Sequence, residues 1–246
     1  MSSQPPQPLG WSELFQPKHA GTDSLVPFLA VAQLLAAEAT TVLEVGCGRG
    51  AAVDTSRSRP MGDFRAPGRH VIGIDVDAAG TENQVVDEFR QIETDGRWPI
   101  DDASVDLAVS DWTLEHVADP DAFVRELRRV LRPGGAFVAR TVSRNSPLSW
   151  IARSVPDEKH ASVLARFRHS RAARDVFPTT YRMNTDRDLA RLFDADFEWA
   201  VAHRTGMRQY VLAWPWLARA IGAIEPHLPR SLQMALVVYA RKRDER

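Results

Sequence analysis

Short apolar runs alternate with helical patterns through the first 142 residues of the chain. Runs typical of buried strands occupy residues 41–45, 70–74, 105–110 and 136–142. Before the last run, apolar residues recur at i, i+4, i+7 and i+8, and these are Phe123, Leu127, Val130 and Leu131. That spacing predicts a helix with one buried stripe. Strands alternating with such helices predict an α/β fold, in which helices cover both faces of a mostly parallel sheet.

Residues that favour helix starts and ends predict where the helices begin and stop. Asp119-Pro120-Asp121 predicts a helix start, because proline suits the first turn and acidic side chains favour the positive end of the helix dipole. The Arg-Pro-Gly-Gly sequence of residues 132–135 predicts the end of that helix. Thr185 and Asp188 form a variant capping box, which predicts the start of a later helix.

The remaining segments are assigned more coarsely. Further helices are predicted over residues 25–37, 51–56, 147 onward, 156–168 and 216–224, and further strands over residues 197–203 and 232–241. The proline-rich residues 1–20 predict a flexible tail. Residues 21–246 predict a single domain, in which the less regular residues 144–190 form an insertion or cap.

The composition restricts the class of protein. The chain has 246 residues, of which 31 are Lys or Arg and 32 are Asp or Glu, so its net charge is close to zero. This balance disfavours nucleic acid as a partner, since proteins that bind it usually carry a basic excess. Cys47 is the single cysteine, which excludes an internal disulfide and predicts no cysteine-rich metal site. Without a signal-peptide pattern or an apolar run of about 20 residues, the sequence predicts a soluble, cytoplasmic protein.

A glycine-rich turn follows the first predicted strand. It contains Gly46, Cys47, Gly48 and Gly50. Glycine lets the backbone approach a ligand closely, because no Cβ intrudes and positive φ is allowed. The pattern by itself is weak, since a tight turn without a ligand needs the same residues. Together with Ala51 it also fits the G-x-G-x-x-A form found in nicotinamide-dependent enzymes.

Two carboxylates beside the turn narrow the choice of ligand. Glu44 lies two residues before the first glycine, where it would repel a pyrophosphate and favour an ammonium or sulfonium charge. Asp75 ends the next strand, where a carboxylate can accept hydrogen bonds from both hydroxyls of a ribose. The alternatives are a partly solvated strand acid at Glu44 and a simple strand-end cap at Asp75.

Six segments in the right order resemble the motifs of class I S-adenosylmethionine-dependent methyltransferases, and they are residues 42–50, 71–77, 94–99, 104–110, 114–117 and 129–135. The last one is the most telling, because dehydrogenases have no equivalent helix that ends in Pro-Gly-Gly. The resemblance covers about residues 40–142. It implies a Rossmann-like three-layer α/β sandwich, whose sheet has seven strands with the last one antiparallel, and S-adenosylmethionine as the cofactor.

The resemblance also implies which residues bind the cofactor. The glycine turn would flank the methionine end, Glu44 would orient nearby backbone or the amino group, and Asp75 would hold the ribose. The full set is Glu44, Gly46, Cys47, Gly48, Gly50, Asp75, Val76, Asp95, Gly96, Asp111 and Trp112, with Asp95 and Gly96 at the adenine edge. The family usually has full helices after the glycine turn and after the second motif. This chain departs from that pattern, because residues 54–69 contain several prolines and glycines.

Methyl transfer from a sulfonium is an in-line displacement, so it needs alignment and exclusion of water rather than a metal or a covalent intermediate. A base is required only if the acceptor must lose a proton. The candidates Asp111, Glu115 and His116 follow the fourth strand, and His116 is preferred because histidine titrates near neutral pH. The alternative is that Glu115 and His116 only begin or cap a helix. Trp112 is expected to pack in the core more than to form a cation–π wall.

The acceptor side is predicted from a polar and aromatic stretch over residues 175–185. Arg144, Asn145, Tyr181 and Arg182 are the candidate acceptor-binding residues, although a buried connection would explain the stretch equally well. Basic residues between 153 and 174 indicate either a solvated helix face or an anionic acceptor. The apolar segment 210–224 is expected to pack in the core, with peripheral membrane contact as the less favoured alternative.

These observations favour an S-adenosylmethionine-dependent methyltransferase that acts on a small-molecule, glycan-linked or lipid-linked acceptor. Methylation of oxygen is favoured over methylation of nitrogen. A non-catalytic S-adenosylmethionine-binding module is an alternative, because methyl transfer needs no fixed catalytic residue. An NAD-dependent oxidoreductase is disfavoured by Glu44 and by the Pro-Gly-Gly helix end. The oligomeric state and the identity of the acceptor stay open.

Overall fold

The computed structural model describes residues 24–50, 59–154, 178–208 and 214–244. Its strands are β1 (Thr41–Val45), β2 (His70–Asp75), β3 (Glu88–Gln91), β4 (Val105–Asp111), β5 (Leu131–Val142), β6 (Phe197–Arg204) and β7 (Ala235–Lys242). Its α-helices are α1 (Leu25–Ala36), α2 (Arg59–Gly62), α3 (Pro120–Val130), α4 (Pro147–Arg153), α5 (Asp186–Phe193) and α6 (Pro215–Ile224). Short 3₁₀ helices cover Ala78–Glu82, Leu114–His116, Glu225–His227 and Arg230–Leu232.

The described strands form one seven-stranded sheet in the order β3-β2-β1-β4-β5-β7-β6. Neighbouring strands from β3 to β5 are parallel, whereas β7 runs antiparallel to both β5 and β6. The predicted mostly parallel sheet with an antiparallel last strand is confirmed. The strand order reverses between β1 and β4, and ligands of open α/β sheets bind at the carboxyl edge beside such a reversal.

Apolar clusters pack on the two faces of this sheet. On one face, α3 and α5 contribute Phe123 and Phe193, which lie on either side of Phe137 with ring centroids 6.1 Å and 6.2 Å from it. On the other face, α1 packs Phe28 and its apolar neighbours against β4 and β5. Because both faces of the sheet are covered, successive residues of β4 and of the second half of β5 are buried. The same burial fixes their carboxyl ends in place.

Helix α3 begins where the sequence signals predict. The Asp119 carboxylate accepts a hydrogen bond from the Ala122 amide at 3.0 Å, and Pro120 occupies the first turn. Replacing Asp119 with alanine is expected to lower the free energy of unfolding by about 1 kcal/mol, because the cap is lost. Urea denaturation measures this loss, and Asp119→Ser should retain most of the stability. Equal stability of the alanine and serine variants would contradict the capping role.

Strand β5 starts earlier than predicted, because residues 132–135 continue the strand instead of forming a separate turn. Val105 pairs with Leu131 and Leu107 pairs with Ala136, so the register shifts between these two pairs. Gly134 has a φ of 72°, which accommodates the irregularity. Strand β7 starts later than predicted, at Ala235, because the 3₁₀ helix Arg230–Leu232 precedes it.

The expectation that residues 210–224 pack in the core is wrong for most of helix α6, the described part of this segment. Ala218 is its buried residue, whereas Trp216 is 70% exposed and Ile224 is 60% exposed. The small Ala218 side chain faces the protein, Leu217 and Ile221 are half-buried, and Trp216 and Ile224 point outward. No helix within the described residues is long and apolar enough to cross a bilayer.

Some sequence predictions lie outside the described residues. These are the tail over residues 1–20, the short helix 51–56, the helix 156–168, residues 175–177, the basic residues from Lys159 to Arg174, and residues 210–213 of the apolar segment. Where the family usually has a helix after its second motif, this chain has the 3₁₀ helix Ala78–Glu82.

Candidate active site

The glycine turn is fixed to the neighbouring strand by its backbone. The amides of Gly46 and Cys47 donate hydrogen bonds to the Ile74 carbonyl at 2.8 Å and 3.2 Å. Gly46 has a φ of 71°, and a Cβ there would overlap the Thr113 side chain. Gly48 has a φ of 45°, and no atom of the described residues lies within 4 Å of the position that its Cβ would take. As far as the described residues show, the turn is closed on the side of Thr113 and open at Gly48.

Asp75 links the end of β2 to this turn. One carboxylate oxygen accepts from the Gly48 amide at 2.8 Å, and the other accepts from the Asp77 amide at 2.9 Å. An ionised carboxylate has about four acceptor positions, so each oxygen of Asp75 can accept one more hydrogen bond. Asp75 both shapes the glycine turn and retains the capacity to bind two hydroxyl groups.

Glu44 lies beside the turn, and its Oε2 atom is buried. None of the residues that the structure describes forms a hydrogen bond with this atom. Burial raises the pKa of Glu44 to about 8, and the nearby negative charges of Asp111, Asp63 and Asp75 act in the same direction. Burial and the charge of Glu44 also raise the pKa of the Cys47 thiol, which lies beside it. A cation placed above Glu44 would remove this electrostatic conflict.

Asp111 is bound tightly by Arg140 on the neighbouring strand. The guanidinium Nε and Nη2 atoms donate to the two carboxylate oxygens at 2.7 Å and 2.8 Å. Arg140 also lies over the Trp112 ring, 4.9 Å from its centroid. This bidentate pair makes Asp111 a poor choice as a proton acceptor. The cation that faces the Trp112 ring is provided by the protein itself.

Glu115 lies in a buried polar network. Its carboxylate accepts a hydrogen bond from the Thr141 hydroxyl at 2.7 Å, and the Asn184 amide donates to the same hydroxyl oxygen at 2.7 Å. Burial raises the pKa of Glu115. The Glu115 carbonyl accepts from the amides of Thr180 and Tyr181. The residue thus joins β5 to the segment that begins at residue 178, and it is less accessible than its neighbour His116.

His116 is held in one orientation by a backbone contact. Its Nδ1 atom lies 2.9 Å from the Pro178 carbonyl oxygen. Because a carbonyl can only accept, Nδ1 carries the hydrogen of this bond, and the neutral ring then has its lone pair on Nε2. Among the three candidate bases, His116 has the geometry that best suits proton transfer.

The predicted acceptor residues divide into two groups. Tyr181 is buried with Trp112, Val142, Met234 and Ala235, and we call these five residues the edge cluster. Burial raises the pKa of the Tyr181 hydroxyl.

The other predicted acceptor residues are exposed. Arg144 and Asn145 are exposed after β5. Arg182 is also exposed, and its guanidinium donates to the Ala118 carbonyl at 2.8 Å. That contact holds a loop, so Arg182 has a structural partner outside the edge cluster.

The residues predicted at the adenine end lie along the same edge of the sheet. Val76 follows β2 and is 61% exposed, and its carbonyl accepts from the Gln91 side chain at 3.0 Å. Asp95 follows β3, which pairs with β2. Gly96 beside it has a φ of 73°, and no described atom lies within 4 Å of the position that its Cβ would take. Both strands end on the side of the sheet where Asp75 lies.

Comparisons with known proteins agree with this geometry. Residues 43–139 match the family model described as a methyltransferase domain. Residues 43–139 are thus similar to a methyltransferase domain, as the class I motifs of the sequence predict. A probable S-adenosylmethionine-dependent methyltransferase of Mycolicibacterium smegmatis is 38% identical over 107 residues, which cover 42% of this chain and 38% of that protein. A ubiquinone biosynthesis O-methyltransferase of Maricaulis maris is 30% identical over 117 residues, which cover 44% of this chain and 43% of that protein.

A solved structure extends the likeness in fold beyond the matched segment. The S-adenosylmethionine-dependent methyltransferase of Mesorhizobium loti has a TM-score of 0.52 and 20% identity, over 87% of this chain and 96% of that one. This likeness supports the fold of the methyltransferase domain. The chain spans less than half the length of the two curated relatives described above.

The residues around the glycine turn form a cradle that fits S-adenosylmethionine, the cofactor that the resemblance implies. The orphaned Glu44 oxygen suits a positive charge, the space at Gly48 admits close approach, and Asp75 has acceptor capacity for a ribose. Sequence reasoning missed Arg140, Thr113 and the pair formed by Thr141 and Asn184. The alternating strand pattern places Arg140 in a strand, but its partner Asp111 is 29 residues earlier in the chain. Only the pairing of β4 with β5 brings the two together.

Proposed function

We propose that this protein transfers a methyl group from S-adenosylmethionine to a hydroxyl group of a small-molecule acceptor. The observation that carries the proposal is the buried Glu44 oxygen, which has no partner among the described residues and lies beside a glycine turn whose Gly48 amide binds Asp75. A pyrophosphate cofactor would place further negative charge beside Asp75 and would keep the buried Glu44 protonated. A ligand with a positive charge at this end instead favours the ionised Glu44 carboxylate.

Different residues around the turn would bind different parts of the cofactor. Glu44 would attract the positive charge of the methionine end, and the turn around Gly48 would approach its backbone. Asp75 would accept hydrogen bonds from the ribose hydroxyls through the acceptor positions that Gly48 and Asp77 leave free. Asp95, Gly96 and the exposed Val76 would line the adenine end. When bound, S-adenosylmethionine supplies an activated methyl group.

His116 would remove the proton from the acceptor hydroxyl. Its Nδ1 hydrogen is directed at the Pro178 carbonyl, so Nε2 is the atom that receives the proton. Glu115 would keep the surrounding segment in place through its hydrogen bonds to Thr141 and to the backbone at residue 180. The protein's main contribution is the alignment of the acceptor and the exclusion of water.

The edge cluster supports an acceptor with an apolar part. Leu148 and Met207 pack against this cluster, and the exposed side chains of Trp150 and Ile151 follow on α4. Two further considerations favour oxygen as the methylated atom. Some relatives are O-methyltransferases of ubiquinone biosynthesis. A histidine base is also more useful for a hydroxyl than for a neutral amine, which can attack through its lone pair.

The test of the proposed function uses S-adenosylmethionine labelled at the methyl group. The purified chain is incubated with phenols and catechols that carry apolar ring substituents, and with matched amines in parallel. We expect label in the methyl ethers and little in the amines. Transfer to amines alone would contradict the proposed acceptor. Tight cofactor binding without transfer to any member of either panel would favour a non-catalytic module.

Cofactor binding is expected to depend on pH through Glu44. With a pKa of about 8, Glu44 is mostly protonated in the free protein at pH 7 and must lose its proton to interact with a cation. S-Adenosylhomocysteine keeps the ammonium group, so its affinity should rise from pH 6 to pH 8 with release of up to about one proton.

Calorimetry of S-adenosylhomocysteine binding at pH 7, in phosphate and in Tris, measures this proton release. The variant Glu44→Gln should bind more weakly and release no proton. Glu88→Gln serves as the control, because Glu88 lies at the start of β3 and pairs with Arg90 and His70. Equal proton release by the wild-type protein and Glu44→Gln would show that Glu44 is not the titrating group.

A further inference from the structure

Two aromatic residues of the edge cluster have a backbone conformation that non-glycine residues rarely adopt. Trp112 has a φ of 54° and Tyr181 has a φ of 52°, and Ala103 is the other described non-glycine residue with positive φ. This conformation is unfavourable for a bulky side chain, and it persists only where the surroundings enforce it. The structure must therefore contain contacts that hold Trp112 in place.

Arg140 supplies several of these contacts. Its carbonyl accepts the Trp112 amide hydrogen at 2.8 Å, and its guanidinium lies over the Trp112 ring. The same guanidinium binds both oxygens of Asp111, the residue before Trp112. On its other side it lies 5.5 Å from the centroid of the Phe28 ring. Backbone, ring and preceding side chain are thus all fixed by one arginine.

Trp112 lies between the glycine turn on the cofactor side and the edge cluster on the acceptor side. The next residue, Thr113, occupies the space beside Gly46 and donates from its hydroxyl to the Val45 carbonyl at 3.4 Å. The Trp112 ring itself packs with Tyr181 in the edge cluster. A shift of Trp112 would therefore move Thr113 against the glycine turn and disturb the wall on the acceptor side.

We propose that Arg140 is a positioning residue that holds Trp112 in its left-handed conformation and thereby sets the width of the cofactor turn. The inference rests on the proposed function, because it assumes that the turn binds S-adenosylmethionine. Arg140 acts through Trp112 and Thr113. The buried pair with Asp111 by itself would also be explained by a purely structural role, so the test must separate stability from positioning.

Lys242 provides the matched control. It is a buried cation at the opposite edge of the sheet, where its ammonium group donates to the carbonyls of Arg128 and Leu131 at 2.8 Å each. The variants Arg140→Met and Lys242→Met remove one buried charge each. Their melting temperatures, their affinities for S-adenosylhomocysteine and the indole N–H resonance of Trp112, assigned with Trp112→Phe, are compared with those of the wild-type protein.

We expect Arg140→Met to lower the affinity for S-adenosylhomocysteine by about tenfold or more and to shift the Trp112 resonance. Lys242→Met should lose stability but keep its affinity within about twofold of the wild type. The double variant Asp111→Asn/Arg140→Met should regain stability, because no unpaired charge is left, while its affinity stays low. Arg140→Lys should recover only part of the affinity, since it lacks the planar fork.

Two results would overturn the inference. One is an unshifted Trp112 resonance in Arg140→Met, and the other is full recovery of affinity in Asp111→Asn/Arg140→Met. A wild-type protein that fails to bind S-adenosylhomocysteine would count against the proposed function instead. In that case the Trp112 resonance still decides whether Arg140 holds this residue.

Discussion

Replacing His116 with alanine is expected to lower the rate of methyl transfer by about 100-fold to 10,000-fold. The affinity for S-adenosylhomocysteine should stay close to that of the wild-type protein. The reason is that His116 contacts the Pro178 carbonyl, whereas Asp75 is the side chain that binds the Gly48 amide of the glycine turn. Loss of the imidazole removes the proton acceptor at Nε2 and leaves the residues around Gly48 and Asp75 intact.

Two further variants make this result specific. His116→Asn keeps a donor for the Pro178 carbonyl but cannot accept a proton, so it should be as slow as the alanine variant. His70→Ala is the control, because His70 lies at the start of β2 and pairs with Glu88. Rates are measured with labelled S-adenosylmethionine and the best phenol from the panel. A His116→Asn variant with wild-type turnover would exclude His116 as the base.

Replacing Asp75 with alanine is expected to weaken S-adenosylhomocysteine binding by roughly 1.5–3 kcal/mol, the range for charge-assisted hydrogen bonds. This corresponds to roughly 10-fold to 150-fold in affinity. Two losses combine in the variant. The ribose hydroxyls lose their acceptor, and the Gly48 amide loses the carboxylate that orients the turn.

A neighbouring residue provides the control for Asp75. Asp77 accepts a hydrogen bond from the Ala79 amide at 2.9 Å and caps the following 3₁₀ helix. Asp77→Asn should change the affinity by less than about threefold, since an asparagine oxygen can still cap the helix. Titration calorimetry gives the affinity of each variant. Unchanged affinity of Asp75→Ala would remove Asp75 from the cofactor site.

Most of the central sheet could be predicted from local patterns. The bounds of β1 agree with the sequence prediction, and β2 and β4 each extend it by one residue. Strand β3 was missed because it is four residues long, lies at the edge of the sheet and has no fully buried side chain. Residues 132–135 differ from their prediction for another reason. A Pro-Gly-Gly sequence normally ends an element, but here Gly134 allows an irregular strand to continue.

The site could be predicted only in part. Glu44 and Asp75 were accessible to sequence reasoning because each lies at a fixed place relative to the glycine turn. The partners of Asp111 and Glu115 were not, because Arg140, Thr141 and Asn184 approach them through the pairing of distant strands. Sequence spacing alone treats Asp111, Glu115 and His116 as similar acids or bases. Their different hydrogen bonds separate them.

The glycine turn and the carboxylates around it are proposed to bind S-adenosylmethionine, whose ammonium group and ribose are also present in its product S-adenosylhomocysteine. Titration calorimetry of S-adenosylhomocysteine into the wild-type chain, with NADH as the comparison, tests this proposal most directly. We expect saturable one-to-one binding of S-adenosylhomocysteine and no detectable binding of NADH. Absence of S-adenosylhomocysteine binding at millimolar concentration, or equally strong binding of NADH, would contradict the proposed cofactor site.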